Sequence, residues 1–164
     1  MTEKRLLQLL TKYNLKVATA ESCTGGLLAG LLCDISGISS FFEEGFITYS
    51  ENAKIKNLDV SPETIRTFGV VSEETALAMA KGAANRANAD CAISTTGVAG
   101  PTGGTEDTPV GTVCFGCVVN GQDFHTSVHF EGSRMEVRMQ AAQFALLYLM
   151  NNIVESYELQ KHAE

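Results

Sequence analysis

The spacing of apolar residues along this chain changes between helical and strand-like periods. Apolar positions at helical spacing predict an amphipathic surface helix over residues 3–13. Small and β-branched residues at 17–20 predict a short strand, and the apolar pattern becomes helical again from Leu27. The pattern therefore predicts a short strand that is followed, after a small polar turn, by a helix.

The remaining elements continue this alternation. Strands are predicted at residues 45–49, 91–95, 111–119 and 123–130, and helices from Ser50, from Ser61, from Val71 and over residues 133–155. Asn120-Gly121 lies between the last two strands and is a two-residue hairpin signal. Together these elements predict a single α/β domain over residues 1–164, a three-layer α/β/α sandwich with a mixed central sheet.

Composition and charge narrow the class of protein. The chain has 164 residues, 45% of them hydrophobic, which is enough for the core of one domain. Its net charge of -7 argues against nucleic-acid binding through a general basic surface. No apolar run is long enough to span a bilayer, and the N-terminus lacks a signal-peptide layout. We therefore expect a cytoplasmic protein with no nucleic-acid or membrane partner. The apolar last helix is a candidate interface for a homo-oligomer.

The turn after the first strand carries the strongest chemical signal. Ser22, Thr24, Gly25 and Gly26 stand where a helix N-terminus would offer free N–H groups and a positive dipole end to an oxyanion or phosphate. Glycine would let a ligand approach the backbone closely. The alternative is that Ser22 or Thr24 only caps the helix. Cys23 is an alternative nucleophile, although a buried structural thiol is the more common role for such a cysteine.

A second candidate segment is the glycine-rich loop after the strand at 91–95. Its candidate ligand-binding residues are Gly97, Gly100, Thr102, Gly103 and Gly104. The loop does not match the phosphate-loop pattern of nucleoside triphosphatases. If the strands before the loop and before Ser22 are parallel neighbours, both segments lie beyond the same edge of the sheet, where ligands bind in such folds.

Other polar residues allow further interpretations. Arg134 and Arg138 share a helix face, which is either solvated or a clamp for a substrate phosphate. Cys114 and Cys117 have half the spacing of a zinc site, but on a strand they point to opposite faces. A metal-assisted hydrolase remains an alternative, with ligands from the set Glu21, Glu106, Asp107, His125 and His129. We expect no metal site, because the chain lacks a complete ligand pattern.

Four ordered segments resemble the CinA C-terminal domain family: residues 19–26 (TAESCTGG), 45–54 (GFITYSENAK), 97–104 (GVAGPTGG) and 109–113 (PVGTV). The resemblance implies an α/β/α fold. The family includes nicotinamide-nucleotide amidases, which hydrolyse the carboxamide of nicotinamide mononucleotide to nicotinate mononucleotide and ammonia in pyridine nucleotide salvage. Larger CinA proteins carry an additional N-terminal domain that this chain lacks, so the resemblance implies the stand-alone amidase form.

The resemblance also implies roles for individual residues. The family's catalytic serine, lysine and tyrosine fall on Ser22, Lys54 and Tyr49, and a substrate-binding arginine falls on Arg138, with Arg134 as its neighbour. A lysine can accept the proton of a serine only when its amine is neutral, which requires a depressed pKa. This mechanism needs a small-molecule nucleotide substrate and no cofactor. The alternative is a non-catalytic nucleotide-binding or regulatory protein of the same fold.

Overall fold

The computed structural model describes residues 2–158. Its elements, in chain order, are α1 (Thr2–Tyr13), β1 (Val17–Glu21), α2 (Leu27–Cys33), a 3₁₀ turn (Ile38–Ser40), β2 (Phe42–Ile47), α3 (Glu51–Leu58), α4 (Pro62–Phe68), α5 (Glu73–Ala87), β3 (Cys91–Gly97), β4 (Thr112–Val119), β5 (Gln122–His129) and α6 (Arg134–Glu158). The five strands form one sheet in the order β2-β1-β3-β4-β5. The predicted α/β domain with a mixed sheet is confirmed.

The sheet separates two groups of helices. The larger apolar cluster joins α1, α2 and α6 to one face, where Phe115 of β4 packs against Phe144 of α6 with ring centroids 4.7 Å apart. The smaller cluster joins α3, α4 and α5 to the other face through Leu58, Ile65, Met79 and several alanines. Small residues permit close contact on this face: a Cβ at Gly116 would collide with the carbonyl oxygen of Ala76. The two faces give the three predicted layers.

Strand directions bring three loops to one edge of the sheet. β1 pairs in parallel with both β2 and β3, and Glu21 at its end is opposite Ile47 and Thr95. The residues after β1, β2 and β3 therefore emerge at the same edge, as expected where parallel strands have a common carboxyl end. β4 and β5 are antiparallel additions on the far side.

One predicted strand boundary was wrong, and one helix start was confirmed. β2 covers Phe42–Ile47 instead of residues 45–49, because it is an exposed edge strand whose charged residues obscure the apolar pattern. α2 begins at Leu27 after a five-residue turn, at the residue from which the apolar pattern predicted the helix. Its N-cap is Gly26, so neither Ser22 nor Thr24 caps it.

Cys114 and Cys117 lie on β4. Cys117 lies in the core cluster on the α6 side, whereas Cys114 lies near Glu73 and Glu74 of α5, so the two cysteines point to opposite faces as predicted.

Within residues 2–158, no helix combines the length and the apolar character needed to cross a bilayer.

The central position of Phe115 gives a test of the packing. Phe115→Ala should lower the free energy of unfolding by about 3–5 kcal/mol, because it removes a fully buried ring from a close-packed core. Phe68→Ala is the matched control: Phe68 is 53% exposed, so its removal should change stability by about 0.5 kcal/mol or less. Urea titration of both variants measures the difference, and equal losses would contradict the assigned core.

Candidate active site

The turn between β1 and α2 is built around the buried carboxylate of Glu21. Its Oε1 accepts hydrogen bonds from Thr24 Oγ1 at 2.6 Å, from the Gly26 amide at 3.1 Å and from the Leu28 amide at 2.9 Å. Its Oε2 accepts from the Ala29 amide at 3.0 Å. Four donors compensate the loss of water around a side chain that is 1% exposed. Glu21 therefore accepts hydrogen bonds from the N-terminal amides of α2. The sequence had predicted these amides as a binding site for an oxyanion or phosphate.

Thr24, Gly25 and Gly26 consequently shape the turn. The Thr24 hydroxyl is buried between Glu21 and Thr95, and lies 2.8 Å from Thr95 Oγ1. Gly25 and Gly26 adopt φ values of 57° and 104°, which strongly favour glycine. The Gly25 amide donates to the carbonyl oxygen of Ser22, so neither glycine amide is free for a substrate. Substrate binding by these three residues stays a prediction; in this structure Gly25 and Gly26 use their amides within the turn and position the backbone after Ser22.

The side chains of Ser22 and Lys54 meet in this structure. Lys54 lies in α3, which Ser50 caps through a 3.1 Å hydrogen bond from the Ala53 amide. Its Nζ lies 2.9 Å from Ser22 Oγ and donates to the carbonyl oxygen of Thr48 at 2.6 Å. The Ser22 amide is anchored to the Thr95 carbonyl oxygen on the neighbouring strand. These contacts hold the hydroxyl and the amine side by side.

The surroundings of Lys54 favour the neutral amine. Lys54 is fully buried, and desolvation lowers its pKa from 10.5 to about 8, against smaller opposing effects of Cys23 and Glu51. About half of the amines are therefore neutral at pH 8. A neutral amine that donates to Thr48 keeps a lone pair with which to accept the Ser22 proton. The geometry and the pKa together give a serine with an adjacent base.

Cys23 is a poor alternative nucleophile. Its thiol is 6% exposed, and burial is the main cause that raises its pKa to about 12. A cysteine attacks as the thiolate, which is scarce at neutral pH when the pKa is this high. The thiol chemistry that the sequence left open is therefore disfavoured by the environment of Cys23.

A cleft of about 240 Å³ lies beside the turn. It is lined by Cys23, Tyr49, Arg134 and the first part of the glycine-rich loop, including Gly97, Gly100, Thr102 and Gly103. The side chains of Ser22 and Lys54 do not line it themselves, but Ser22 adjoins Cys23 and is 8% exposed. Gly104 lies outside the cleft lining, and a Cβ there would come within 2.7 Å of the Val110 amide nitrogen. Most of the predicted loop residues thus face one cavity.

Tyr49 belongs to the wall of this cleft. Its ring is 61% exposed, and its hydroxyl accepts a hydrogen bond from Arg134 Nη2 at 3.0 Å. Arg134 Nη1 donates to the Gly100 carbonyl oxygen at 2.8 Å, so the guanidinium links the two sides of the cleft. The Tyr49 hydroxyl has no hydrogen bond to Ser22 or Lys54 in this structure.

The two arginines of α6 are directed to different places. Arg138 donates from Nε to the Cys23 carbonyl oxygen at 2.9 Å and from Nη2 to the Thr24 carbonyl oxygen at 3.1 Å. Arg134 faces the cleft, as described above. Substrate binding by both arginines stays a prediction: helical spacing places them on one side of α6, and of the two only Arg134 lines the cleft.

The candidate metal ligands are dispersed. Both carboxylate oxygens of Glu21 are engaged within the turn, and His125 and His129 lie on β5, where they pair with Glu73 and Glu131. β3 and β4 separate β5 from β1. In the part of the chain that the structure describes, no three His, Cys, Asp or Glu residues form a group that could hold a metal ion.

Some contributors to the site were not predicted from the sequence. Glu21 was predicted only as a candidate metal ligand, although a carboxylate at the end of an apolar strand, before a turn rich in small residues, is a usable signal for a buried hydrogen-bonded carboxylate. Thr48 contributes its carbonyl oxygen, and Thr95 contributes a hydroxyl and a carbonyl oxygen. Backbone contributions carry no residue-specific signal, so only the tertiary structure reveals them.

Fold and site define an α/β protein with a buried serine–lysine pair at the carboxyl edge of its parallel strands. The family model of the CinA C-terminal domain matches residues 1–153, and the chain belongs to this family. A CinA-like protein of Kosmotoga olearia is 49% identical over 144 residues, which cover 88% of this chain and 35% of that protein. The chain spans about a third of the length of the curated relatives it matches.

Solved structures agree with this family assignment. The competence or damage-inducible protein from Enterobacter asburiae is 38% identical, with a TM-score of 0.89 over 93% of this chain and 96% of that chain. The CinA superfamily protein from Escherichia coli is 40% identical, with a TM-score of 0.87 over 93% of this chain and 88% of that chain. The same fold therefore recurs in family members from Enterobacter asburiae and Escherichia coli.

The burial of Lys54 predicts a pH-dependent stability. Between the folded pKa of about 8 and the ordinary value of 10.5, the unfolded chain binds more protons, so the free energy of unfolding should rise with pH through this window. At 1.36 kcal/mol per unit, the rise is roughly 3 kcal/mol. Methionine does not titrate, so the free energy of unfolding of Lys54→Met should lack this rise. The difference in free energy of unfolding, Lys54→Met minus wild type, should therefore fall from pH 7 to pH 10.5 in urea titrations. A constant difference would contradict the depressed pKa.

Proposed function

We propose that this protein hydrolyses the carboxamide of nicotinamide mononucleotide to nicotinate mononucleotide and ammonia, with Ser22 as nucleophile and Lys54 as general base. The observation that carries the proposal is the 2.9 Å contact between Ser22 Oγ and a fully buried lysine amine. Membership in the CinA family supports the substrate, because the family includes nicotinamide-nucleotide amidases. The proposed role is pyridine nucleotide salvage.

The chemistry proceeds in two halves. Lys54 Nζ accepts the Ser22 proton while Oγ bonds to the carboxamide carbon, and the carbonyl oxygen becomes an oxyanion. Collapse of this intermediate breaks the C–N bond, and the leaving nitrogen takes the proton from the Lys54 ammonium to depart as ammonia. A water molecule then attacks the acyl ester and passes a proton to Lys54, and the C–Oγ bond breaks. Ser22 regains its proton and nicotinate mononucleotide is released.

Backbone amides after Ser22 supply the oxyanion donors in this proposal. Those of Gly25, Gly26 and Leu28 are used within the turn. The amides of Cys23 and Thr24 have no acceptor in any other residue of the range 2–158. They immediately follow the nucleophile, which is the common position of an oxyanion donor in serine hydrolases.

The cleft supplies the substrate site. The exposed guanidinium of Arg134 is the candidate partner for the 5′-phosphate, since its planar fork matches phosphate oxygens. The glycine-rich loop offers its backbone and Thr102 to the remainder of the nucleotide. Tyr49 forms a wall near the pyridine ring, and its contact with Arg134 favours a binding role over direct proton transfer.

Ammonia release from nicotinamide mononucleotide tests the proposal. Wild-type protein should release it, and Ser22→Ala and Lys54→Met should each lower kcat at least about a thousandfold, because each removes one member of a unit that acts together. Both changes shorten or neutralise a side chain without adding bulk, so circular dichroism should show folded proteins.

An acyl enzyme provides the direct evidence. Intact-protein mass spectrometry on enzyme quenched during turnover should detect an adduct on Ser22 that Ser22→Ala lacks. An active Ser22→Ala enzyme would exclude the nucleophile. Binding of the nucleotide without any ammonia release would instead favour the non-catalytic alternative.

The rate should depend on pH through Lys54. Because the base must be unprotonated, kcat/KM should rise with pH and level off above an apparent pKa of about 8. Initial rates across pH 6 to 9.5 measure this profile, with substrate stability checked separately. A rate that is already maximal at pH 6 would contradict Lys54 as the base.

A further inference from the structure

The turn after Ser22 is held from two chemically opposite sides. The Glu21 carboxylate binds the N–H groups of Gly26, Leu28 and Ala29. The Arg138 guanidinium binds the carbonyl oxygens of Cys23 and Thr24. A buried anion thus fixes the donors of the segment and a cation fixes its acceptors, which leaves little freedom to the backbone between them.

Two amides of this segment have no hydrogen-bond acceptor in another described residue. The Ser22 amide donates to Thr95, the Gly25 amide to Ser22 and the Leu27 amide to Thr24. Glu21 accepts from the Gly26 and Leu28 amides, as above. Over the described residues, only the amides of Cys23 and Thr24 within 22–28 lack an acceptor in another residue. Both adjoin the nucleophile.

Arg138 acts directly on one of these two donors. The Cys23 carbonyl and the Thr24 N–H belong to the same peptide group. A charged hydrogen bond to the carbonyl oxygen withdraws electron density from that group and makes its N–H a stronger donor, as in any chain of hydrogen bonds. The second bond of Arg138, to the Thr24 carbonyl, fixes the orientation of the next peptide.

We propose that Arg138 is a positioning residue that, with Glu21, holds and polarises the Cys23–Thr24 peptide as an oxyanion donor for the reaction at Ser22. The inference rests on the proposed function. It differs from a phosphate clamp, because Nε and Nη2 of Arg138 both donate to the turn and Arg138 does not line the cleft. It also gives the Glu21 carboxylate a role that requires no substrate contact.

The kinetic signature separates these two roles. An oxyanion forms only in the transition state, so a weakened donor lowers kcat and kcat/KM together and leaves KM unchanged. Loss of a phosphate contact that is present in the ground state raises KM instead. A purely structural role lowers the thermal midpoint and leaves kcat per folded molecule unchanged.

Arg138→Met is the test variant, and Arg86→Met is the matched control. Arg86 lies on α5, where it forms an exposed ion pair with Asp59 at 2.9 Å. Arg138→Met should lower kcat about tenfold to a hundredfold, less than the loss of a complete oxyanion donor, with KM for nicotinamide mononucleotide within about twofold of the wild type. Arg86→Met should retain wild-type kinetics. Arg138→Lys keeps the charge and one hydrogen bond, so its kcat should be intermediate.

Glu21→Gln tests the other side of the turn. The glutamine amide has one oxygen and an NH₂ group, so it cannot accept from all four donors, and kcat should again fall with KM unchanged. Arg138→Met or Arg138→Lys with wild-type kcat, or with a raised KM alone, would overturn the inference while the proposed function stands. Wild-type protein that releases no ammonia would overturn both.

Discussion

Lys54 is a buried amine with no carboxylate among its hydrogen-bond partners, and this constraint organises the candidate site. Its partners are a serine hydroxyl and a backbone carbonyl oxygen. Removing an ammonium ion from water costs free energy, and these two partners compensate that cost less than a carboxylate would. Burial therefore favours the neutral amine. Glu21, the residue immediately before Ser22, has different partners: four donors surround its carboxylate. One buried group thus has four hydrogen-bond donors, and the other is held where its uncharged form is useful.

The sheet topology explains how these groups come together. Ser22, Thr48 and the loop beyond Gly97 follow three adjacent parallel strands, and Lys54 reaches the same edge from α3. The Thr48 amide continues the ladder by donating to the Glu21 carbonyl oxygen, which leaves the Thr48 carbonyl to receive the amine. Strand pairing therefore sets the position of the base as well as that of the nucleophile. The main role of the glycines in the turn and loop is to permit positive φ angles and close packing. Exposing the backbone to a ligand is a lesser role.

The arginines of α6 show how similar sequence signals acquire different roles. Four residues apart, they share a helix face that the sequence left as either solvated or a phosphate clamp. Arg134 spans the cleft between Tyr49 and Gly100, while Arg138 binds the turn. Helical spacing determines which side of a helix a residue occupies. What it contacts depends on the elements that pack there, and α2 with its preceding turn lies against α6 close to Arg138.

The sequence by itself determined the alternation of helices and strands, the mixed α/β class and the segments that carry the chemistry, because periodicity and turn residues are local properties. It also indicated Ser22 and Lys54 through their resemblance to a family. Only the tertiary structure decided that Glu21 fills the α2 amides, that Thr48 supplies a carbonyl oxygen, that the Cys23 thiol stays protonated and that Arg138 faces the turn. These outcomes depend on burial and on backbone groups from distant segments, which residue identity does not encode.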